Sequence, residues 1–470
     1  MPLPTAYGHE LRHPLASLRA SIADASPIPF WQDDAAQPEP RAVLPGDVET
    51  DLLVIGGGYA GLWTAIQAKE RQPGRRVVLL EGDRVGRAAS GRNGGFAEAS
   101  LTHGEENGSL HFPDELDVIG RLADENFDGF AQSIARYGID AEYEASGVLA
   151  VATEPHQVEA LRESGAPLLV GEALEARARS PLYRAGLFTA EGASLVHPAK
   201  LAWGLADAAA QLGVEIYERS AVLRLAKSAG GVIAQTRNGV VRAARVALAT
   251  NGFPSLLRRL RLFTVPIYDY ALMTEPLSAD QLAEIGWTGR HGITDLGREF
   301  HYYRKSRDNR ILFGGYDAVY HRGRRVTPAH DQRPETFLRL ADHFFSTFPS
   351  LAATRFTHAW GGMIDMSTQL VAFHGSAYGG RVAYSSGYTG LGVVATRFGA
   401  AVMLDLLEGA DTERTRLRMS RRLPIPIPPE PLAYPLIQTM RHAVAKSDRN
   451  GGKDGFLLRT AARFGVGFDS

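Results

Sequence analysis

The 470-residue sequence has no cysteine. A disulfide framework, a thiolate metal site and a cysteine nucleophile are all excluded. It also lacks a charge bias: 51 Lys and Arg stand against 52 Asp and Glu, a formal net charge of −1. No global field favours nucleic acid or an acidic membrane surface. Long apolar runs are missing. The longest weakly polar stretch, Leu52 to Ala68, carries four glycines and begins as a strand, which makes it a poor membrane span. Residues Met1 to Asp24 hold His9, Glu10, Arg12 and Arg19 without a continuous apolar core and do not read as a secretory signal. A soluble, cytoplasmic protein is expected. There is no internal repeat, and no histidine pair has metal spacing with a nearby carboxylate, so no metal site is expected.

What is present is length and glycine. The chain can bury one large core or two, and it contains 50 glycines. Residues 27–45 are proline-rich and polar, an extended lead-in. Asp51 to Ile55 is a short apolar run ending in three glycines, a buried strand by length and flanks. Leu62 to Lys69 has helical spacing, and Arg76 to Leu80 is a second buried strand closed by Glu81. Together they form a βαβ unit. Helices are predicted over 113–137, 199–212, 336–348 and 391–407. Strands are predicted over 146–153 and 214–217, in hairpins between 220 and 248, and as a pair at 300–303 and 310–314. After Arg414 the chain turns basic, then proline-rich from Pro424 to Pro431, and is expected to be a solvated segment wrapping the domain.

Gly56-Gly57-Gly58-Tyr59-Ala60-Gly61 fits G-x-G-x-x-G. Gly56 permits the tight turn, Gly58 lets the backbone approach a diphosphate, and Gly61 lets helix and strand pack closely. The helix then points unpaired N–H groups at the anion. Glu81 sits twenty residues past Gly61, followed by Gly82. A carboxylate there can accept from both ribose hydroxyls. This turn serves NAD and FAD alike, so other segments must decide. In Ser90-Gly91-Arg92-Asn93-Gly94-Gly95-Phe96, Arg92 can pair with a phosphate and the glycines allow close passage of a flat ring. Gly387-Tyr388-Thr389-Gly390-Leu391-Gly392 opens a late helix whose N–H groups suit the flavin N1/O2 edge. No second dinucleotide fingerprint for NAD(P)H is present.

With these, HPAK (His197 to Lys200), ATNGF (Ala249 to Phe253), YYRKSRDNRILFGGYD (Tyr302 to Asp317) and HAWGGMIDM (His358 to Met366) occur in order. The set resembles the D-amino-acid-oxidase-type FAD oxidoreductases, most of all their γ-glutamylputrescine oxidase branch, over roughly residues 25–410. The resemblance implies an α/β protein. A Rossmann-type FAD-binding domain would join a discontinuous α+β substrate domain built on a large antiparallel sheet. The expected boundaries are a lead-in over 1–47, an FAD-binding domain from 48–110, 195–260 and 355–410, a substrate domain from 111–194 and 261–354, and an extension over 411–470. It also implies that Gly56, Gly58, Tyr59, Ala60, Gly61, Glu81 and Gly82 hold the ADP half, with Val222 at adenine and Gly252 near the ribose or diphosphate. Arg92, Asn93, Gly94 and Gly95 would run toward the flavin. Trp360, Gly361 and Gly362 would approach the ring, and Gly387, Gly390, Leu391 and Gly392 its pyrimidine edge. Some relatives tether FAD through cysteine or histidine; neither occurs in this segment, so FAD is expected to be non-covalent.

The expected reaction is hydride transfer from the α-carbon of a neutral primary or secondary amine or amino acid to flavin N5. The resulting imine hydrolyses, and O2 reoxidises the flavin to give H2O2. A dehydrogenase using a protein electron carrier, or a flavin-binding protein without catalysis, are the alternatives. For the site itself, Arg304 is a candidate to bind a substrate carboxylate, with Tyr303 and Trp360 beside it. Tyr302 and Tyr303 must point to opposite faces of their strand. Tyr268 and Tyr270 share a face and suit aromatic core packing better than a pocket wall. His103, Glu105 and Glu106 are read as a solvated loop. A small-molecule amine is the expected partner, and the sequence sets no oligomeric state.

Overall fold

Strand Val48–Ile55 is buried over its last four residues, Leu52 to Ile55, and runs straight into the glycines. Helix Tyr59–Arg71 leaves that turn, and strand Val77–Leu80 returns beside the first in parallel register, Leu52 opposite Val77 and Ile55 opposite Leu80. The computed structural model describes residues 5–463, 465 and 466. Met1–Pro4, Phe464 and Gly467–Ser470, the outer ends of the expected lead-in and extension, lie outside the described residues.

The βαβ unit is the centre of the first sheet. Its order is Phe373–Ala377, Val382–Ser386, Val240–Leu248, Val48–Ile55, Val77–Leu80, Glu215–Tyr217. The inner strands run parallel, and antiparallel strands Val232–Gln235 and Arg224–Lys227 extend from Val240–Leu248. A fully buried parallel strand needs cover on both faces. One face is covered by helices Tyr59–Arg71, Pro198–Gln211 and Gly392–Glu408, which share a core with Leu52, Val54, Val77 and Leu79. Helix Gly392–Glu408 is apolar nearly all round, as a helix sandwiched in a core must be, and ends on Gly409 in the left-handed region at φ 69°. Each fully buried Leu, Val or Ile here contributes about 1.5–3 kcal/mol.

The second sheet has the order Val319–Tyr320, Val265–Thr274, Ile311–Gly315, His301–Lys305, Gly292–Asp295, Val148–Ala152, Ala185–Thr189, with Phe356–Met366 along the other edge of Val265–Thr274. It is mostly antiparallel; Gly292–Asp295 and Val148–Ala152 run parallel. Helix Pro334–Thr347 covers one face through Phe337, Leu340, Ala341 and Phe344. The opposite face meets the loop at residues 90–96.

Three boundaries differ from the sequence expectation. Strand Phe356–Met366 was placed with the nucleotide domain, but it pairs with Val265–Thr274 in the second sheet, Trp360 opposite Ala271. Helix Leu116–Arg136 was placed with the substrate domain, but Ile119, Leu122, Phe130 and Ile134 pack into the nucleotide-side core. The spacing gave its apolar stripe and not the partner of that stripe. The lead-in is anchored too: helix Leu15–Ile22 buries Leu18 in the second core, and Trp31 packs with Trp203, Met273 and Trp360. The basic run after Arg414 is engaged internally, with Arg414 on Asp405 at 2.8 Å, Arg416 on Asp411 at 2.9 Å, and Arg418 on Asp114. Among the described residues, no helix is long and apolar enough to cross a membrane.

Candidate active site

The first turn is closed by contacts that admit only glycine. Gly56 has φ 114°, and a Cβ there would lie 2.3 Å from the Ala249 carbonyl oxygen. A Cβ on Gly61 would lie 1.9 Å from the Gly56 carbonyl oxygen. Helix Tyr59–Arg71 starts at Gly58, which caps it with no side chain of its own, so the first-turn N–H groups beyond that of Tyr59 are available to an anion. Ser90 from the second loop accepts at its hydroxyl oxygen from the Tyr59 N–H at 3.0 Å. Tyr59 and Ala60 are buried, and the Tyr59 hydroxyl donates to the Pro198 carbonyl.

Glu81 accepts from the Gly57 N–H at 2.6 Å and the Asp83 N–H at 2.8 Å. Burial raises its pKa, and those two hydrogen bonds oppose the rise. Gly82 lies against Ala221, and the Ser220 N–H donates to the Glu81 carbonyl, which brings Val222 beside the end of the second strand. Gly252 is across the turn, with the Met363 sulfur 3.1 Å from where its Cβ would be. The expected ADP-half residues are therefore gathered at the carboxyl ends of the parallel strands, where α/β sheets bind ligands.

The second loop runs between the two sheets. Asn93 shapes it by donating to Ala89 O and accepting from Gly95 N. Gly94 is needed because a Cβ would meet the Tyr302 ring at 2.7 Å, and Gly95, at φ 79°, because one would meet Val196 O at 2.2 Å. Arg92 differs from expectation: its guanidinium pairs with Asp331 at 2.5 Å and donates to Gly361 O at 3.1 Å. It clamps the loop to the second sheet and is not directed at a diphosphate. Trp360 does the same from the sheet, its indole N–H donating to Arg92 O at 2.9 Å. Gly362 turns its bare side to Arg92, whereas that of Gly361 is filled by the Tyr270 ring, so only Gly362 faces the loop.

The third turn is organised by a residue the sequence reading did not single out as a site. Asp365 is buried and accepts from Gly387 N, with Tyr388 N, Thr389 N and the Asn251 amide around it. Burial raises its pKa to about 7 against those donors. Gly387 and Gly390 sit at φ 80° and 94°, and helix Gly392–Glu408 begins after Leu391 without a side-chain cap. The bare side of Gly390 opens onto Ile364, 3.9 Å away. His103 is not a solvated residue: it packs against the carbonyls of Tyr388 and Thr389, and burial lowers its pKa.

The candidates Tyr303 and Arg304 fall on opposite faces of the sheet. Tyr303 points into the core on the far face of the sheet, its hydroxyl 2.7 Å from that of Tyr183. Arg304 points toward the loop, donating to Val196 O at 2.6 Å through one terminal nitrogen and standing 5.3 Å over the Trp31 ring, while its buried Nε–H has no partner. It is 1% exposed, and burial pushes its pKa down to about 10. It holds the loop through Val196 O. Tyr268 and Tyr270 are core residues, as the alternation suggested. The loop-facing side of the sheet instead presents Asp269 and Tyr302. Tyr302 lies across Gly314 and donates to Asp269 Oδ2 at 2.6 Å. Asp269 had a signal in the sequence: in Tyr268-Asp269-Tyr270 it is the residue whose face differs from two aromatics.

Two uncapped helix ends, a carboxylate at a strand end and a glycine-lined loop passing under a sheet define a dinucleotide-binding redox protein whose second sheet covers the reactive end. The model of the FAD dependent oxidoreductase family, DAO, matches residues 51–406, and the chain belongs to that family. The chain is 30% identical over 403 residues to the gamma-glutamylputrescine oxidoreductase of Escherichia coli, covering 82% of this chain and 89% of that one. It is 25% identical over 347 residues to sarcosine oxidase subunit beta of Rhizobium meliloti, covering 72% and 78%. The solved glycine oxidase of Geobacillus kaustophilus shares the fold, with TM-score 0.63 at 21% identity over 78% of this chain and 96% of that one. The protein is an FAD-dependent oxidoreductase. The turn whose cradle a Cβ would fill, the carboxylate Glu81 and the two helix N-termini fit that cofactor.

Proposed function

We propose that this chain oxidises a primary or secondary amine carrying no carboxylate on the reacting carbon, with non-covalently bound FAD and O2 as final acceptor. The observation that carries the reading is the charge of the sheet face that meets the flavin loop. It presents the carboxylate of Asp269, while the guanidiniums that reach it, Arg92 and Arg304, are held by Asp331 and by backbone carbonyls. Such a face offers an ammonium the Asp269 carboxylate, and offers a carboxylate only the buried Arg304, whose guanidinium already bonds Val196 O. The Escherichia coli relative, named for an amine derivative, supports the same choice.

Bound FAD would supply the redox chemistry, as hydride acceptor for the α-carbon and electron donor to O2, with H2O2 as the second product. The chain's part is binding and exclusion. Gly56 to Gly61, Glu81 and Gly82 would hold the ADP half, with Val222 beside them. Asn93 to Gly95 guide the loop, and Gly387 to Gly392 present N–H groups at the far end. Trp360, Ala271, Met273 and Leu312 form a dry wall with Trp31, which keeps water from the reacting carbon and strengthens each polar contact inside. The imine leaves this wall and is hydrolysed. Steady-state H2O2 release with a panel of alkylamines and α-amino acids tests the reading. Release with amines and little with their α-carboxylated counterparts is expected. Turnover only with α-amino acids contradicts it, and electron transfer only to an artificial carrier contradicts the oxidase part.

A further inference from the structure

We infer that Asp269, held by Tyr302, is the group that binds the substrate ammonium and takes its proton before the C–H bond breaks. This rests on the amine reading above. The pair is a built feature of the sheet. Asp269 lies on Val265–Thr274 and Tyr302 on His301–Lys305, with Ile311–Gly315 between them. The Tyr302 ring crosses that middle strand only because residue 314 is glycine: a Cβ there would stand 2.8 Å from the Tyr302 hydroxyl and ring carbon. Gly94 clears the other side of the same ring, its Cβ position being 2.7 Å away. On the third side Asp269 is opposite Gly362, whose bare side faces Arg92. Three glycines from three segments thus make room for one carboxylate–phenol pair against the flavin loop.

The hydrogen bonding leaves the carboxylate one role unfilled. Oδ1 accepts from the Tyr270 N–H at 2.7 Å and Oδ2 from the Tyr302 hydroxyl at 2.6 Å, with the Gly315 N–H also directed at the group. A carboxylate has about four acceptor positions, so at least one is left for a ligand N–H. The charged and titratable groups around it are Tyr302 on the neighbouring strand, His301 reaching it through the sheet, and the Arg92–Asp331 ion pair over Gly362. Arg304 shares this sheet face but bonds Val196 O, and no described cation is ion-paired with Asp269. Burial raises its pKa from 3.8 to about 6, with the Tyr302 hydrogen bond as the first opposing effect.

The chemistry needs such a group. An alkylammonium titrates near pH 10, so only about one molecule in a thousand is neutral at pH 7. An ammonium carries no lone pair to assist hydride departure. The step balances within the pair: R2CH–NH3+ and Asp269–COO− become R2CH–NH2 and Asp269–COOH. Burial penalises both charged forms, so it narrows the gap that opposes this transfer in water.

The test compares wild-type holoenzyme with Asp269→Asn and Tyr302→Phe in anaerobic flavin bleaching against pH. An independent readout is calorimetric binding of tert-butylamine, whose nitrogen-bearing carbon has no hydrogen and cannot be oxidised. Wild type should show an acid limb near pH 6 in both measurements. Asp269→Asn should lose the limb, bleach about 100-fold more slowly and bind the probe roughly 10-fold or more weakly, the size of a lost charge-assisted hydrogen bond. Tyr302→Phe removes a hydrogen bond to the charged form, so its limb should move to higher pH, which a merely structural tyrosine would not do. If wild type bleaches but both variants keep its limb and probe affinity, the assignment of Asp269 is wrong while the amine reading stands. If no amine bleaches wild type, the amine reading fails and this fails with it. Should Asp269→Asn not retain FAD, the limb of Tyr302→Phe decides alone.

Discussion

Replacing Gly314 by alanine isolates the device that seats Tyr302. Gly314 is a strand residue outside the left-handed region. At such a position alanine ordinarily stabilises by about 0.4–1 kcal/mol through the unfolded chain. Here the new methyl would stand 2.8 Å from the Tyr302 hydroxyl and ring. Overpacking of that kind costs about 1–3 kcal/mol. If the ring is expelled instead, its hydrogen bond to a charged carboxylate, worth about 1.5–3 kcal/mol, is lost. Either cost outweighs the propensity gain, and a net loss of about 1–2 kcal/mol is expected. The assay is a double-mutant cycle in urea, followed by tryptophan fluorescence with constant m-values required. In a Tyr302→Ala background Gly314→Ala should become neutral or mildly stabilising, a coupling of about 2 kcal/mol or more. The same penalty in both backgrounds would refute the argument that Gly314 exists to clear Tyr302.

Gly61→Ala would place a Cβ 1.9 Å from Gly56 O, so the purified variant should carry little flavin, read as visible absorbance per protein. Asp365→Ala removes the acceptor of the Gly387, Tyr388 and Thr389 N–H groups; FAD affinity by fluorescence titration should fall by roughly 10-fold or more. Burial raises the Asp269 pKa from 3.8 to about 6, so the stability tied to its protonated form is fully present below 3.8 and lost as pH rises through about 6. Asp269→Asn should therefore raise the melting temperature over wild type at pH 8, and the gap should close toward pH 4.5. Arg304→Met leaves Val196 O without its donor; it should lower the melting temperature without changing the preference for amines over α-amino acids, and a selective loss of amino-acid turnover would restore the carboxylate role to Arg304.

The nucleotide turn was legible because its constraints are local. Gly56, Gly61 and Glu81 lie within one βαβ unit, and each is dictated by contacts inside it. The second sheet was legible in parts, as strand pairs and one amphipathic helix. Its site was not, because a side chain's role there depends on what crosses from other segments. Arg304 has the chemistry to bind a carboxylate, and only the approach of Val196 O and Trp31 shows that it is engaged. Arg92 was matched to a phosphate by type, but its partner Asp331 is 239 residues away. Asp365 carries no signal of its own in its segment and gathers a loop that follows a later strand. Helix Leu116–Arg136 shows the same limit for the core: periodicity fixes which side is buried, and packing fixes against what.

Anaerobic mixing of the holoenzyme with alkylamines and with their α-carboxylated counterparts, followed at the flavin absorption band, tests the central claim most directly. The account predicts rapid bleaching by an alkylamine, slow bleaching by its α-carboxylated counterpart, recovery of colour on admitting air, and release of the flavin from denatured protein. Bleaching by α-amino acids alone, or by no amine at all, would contradict it.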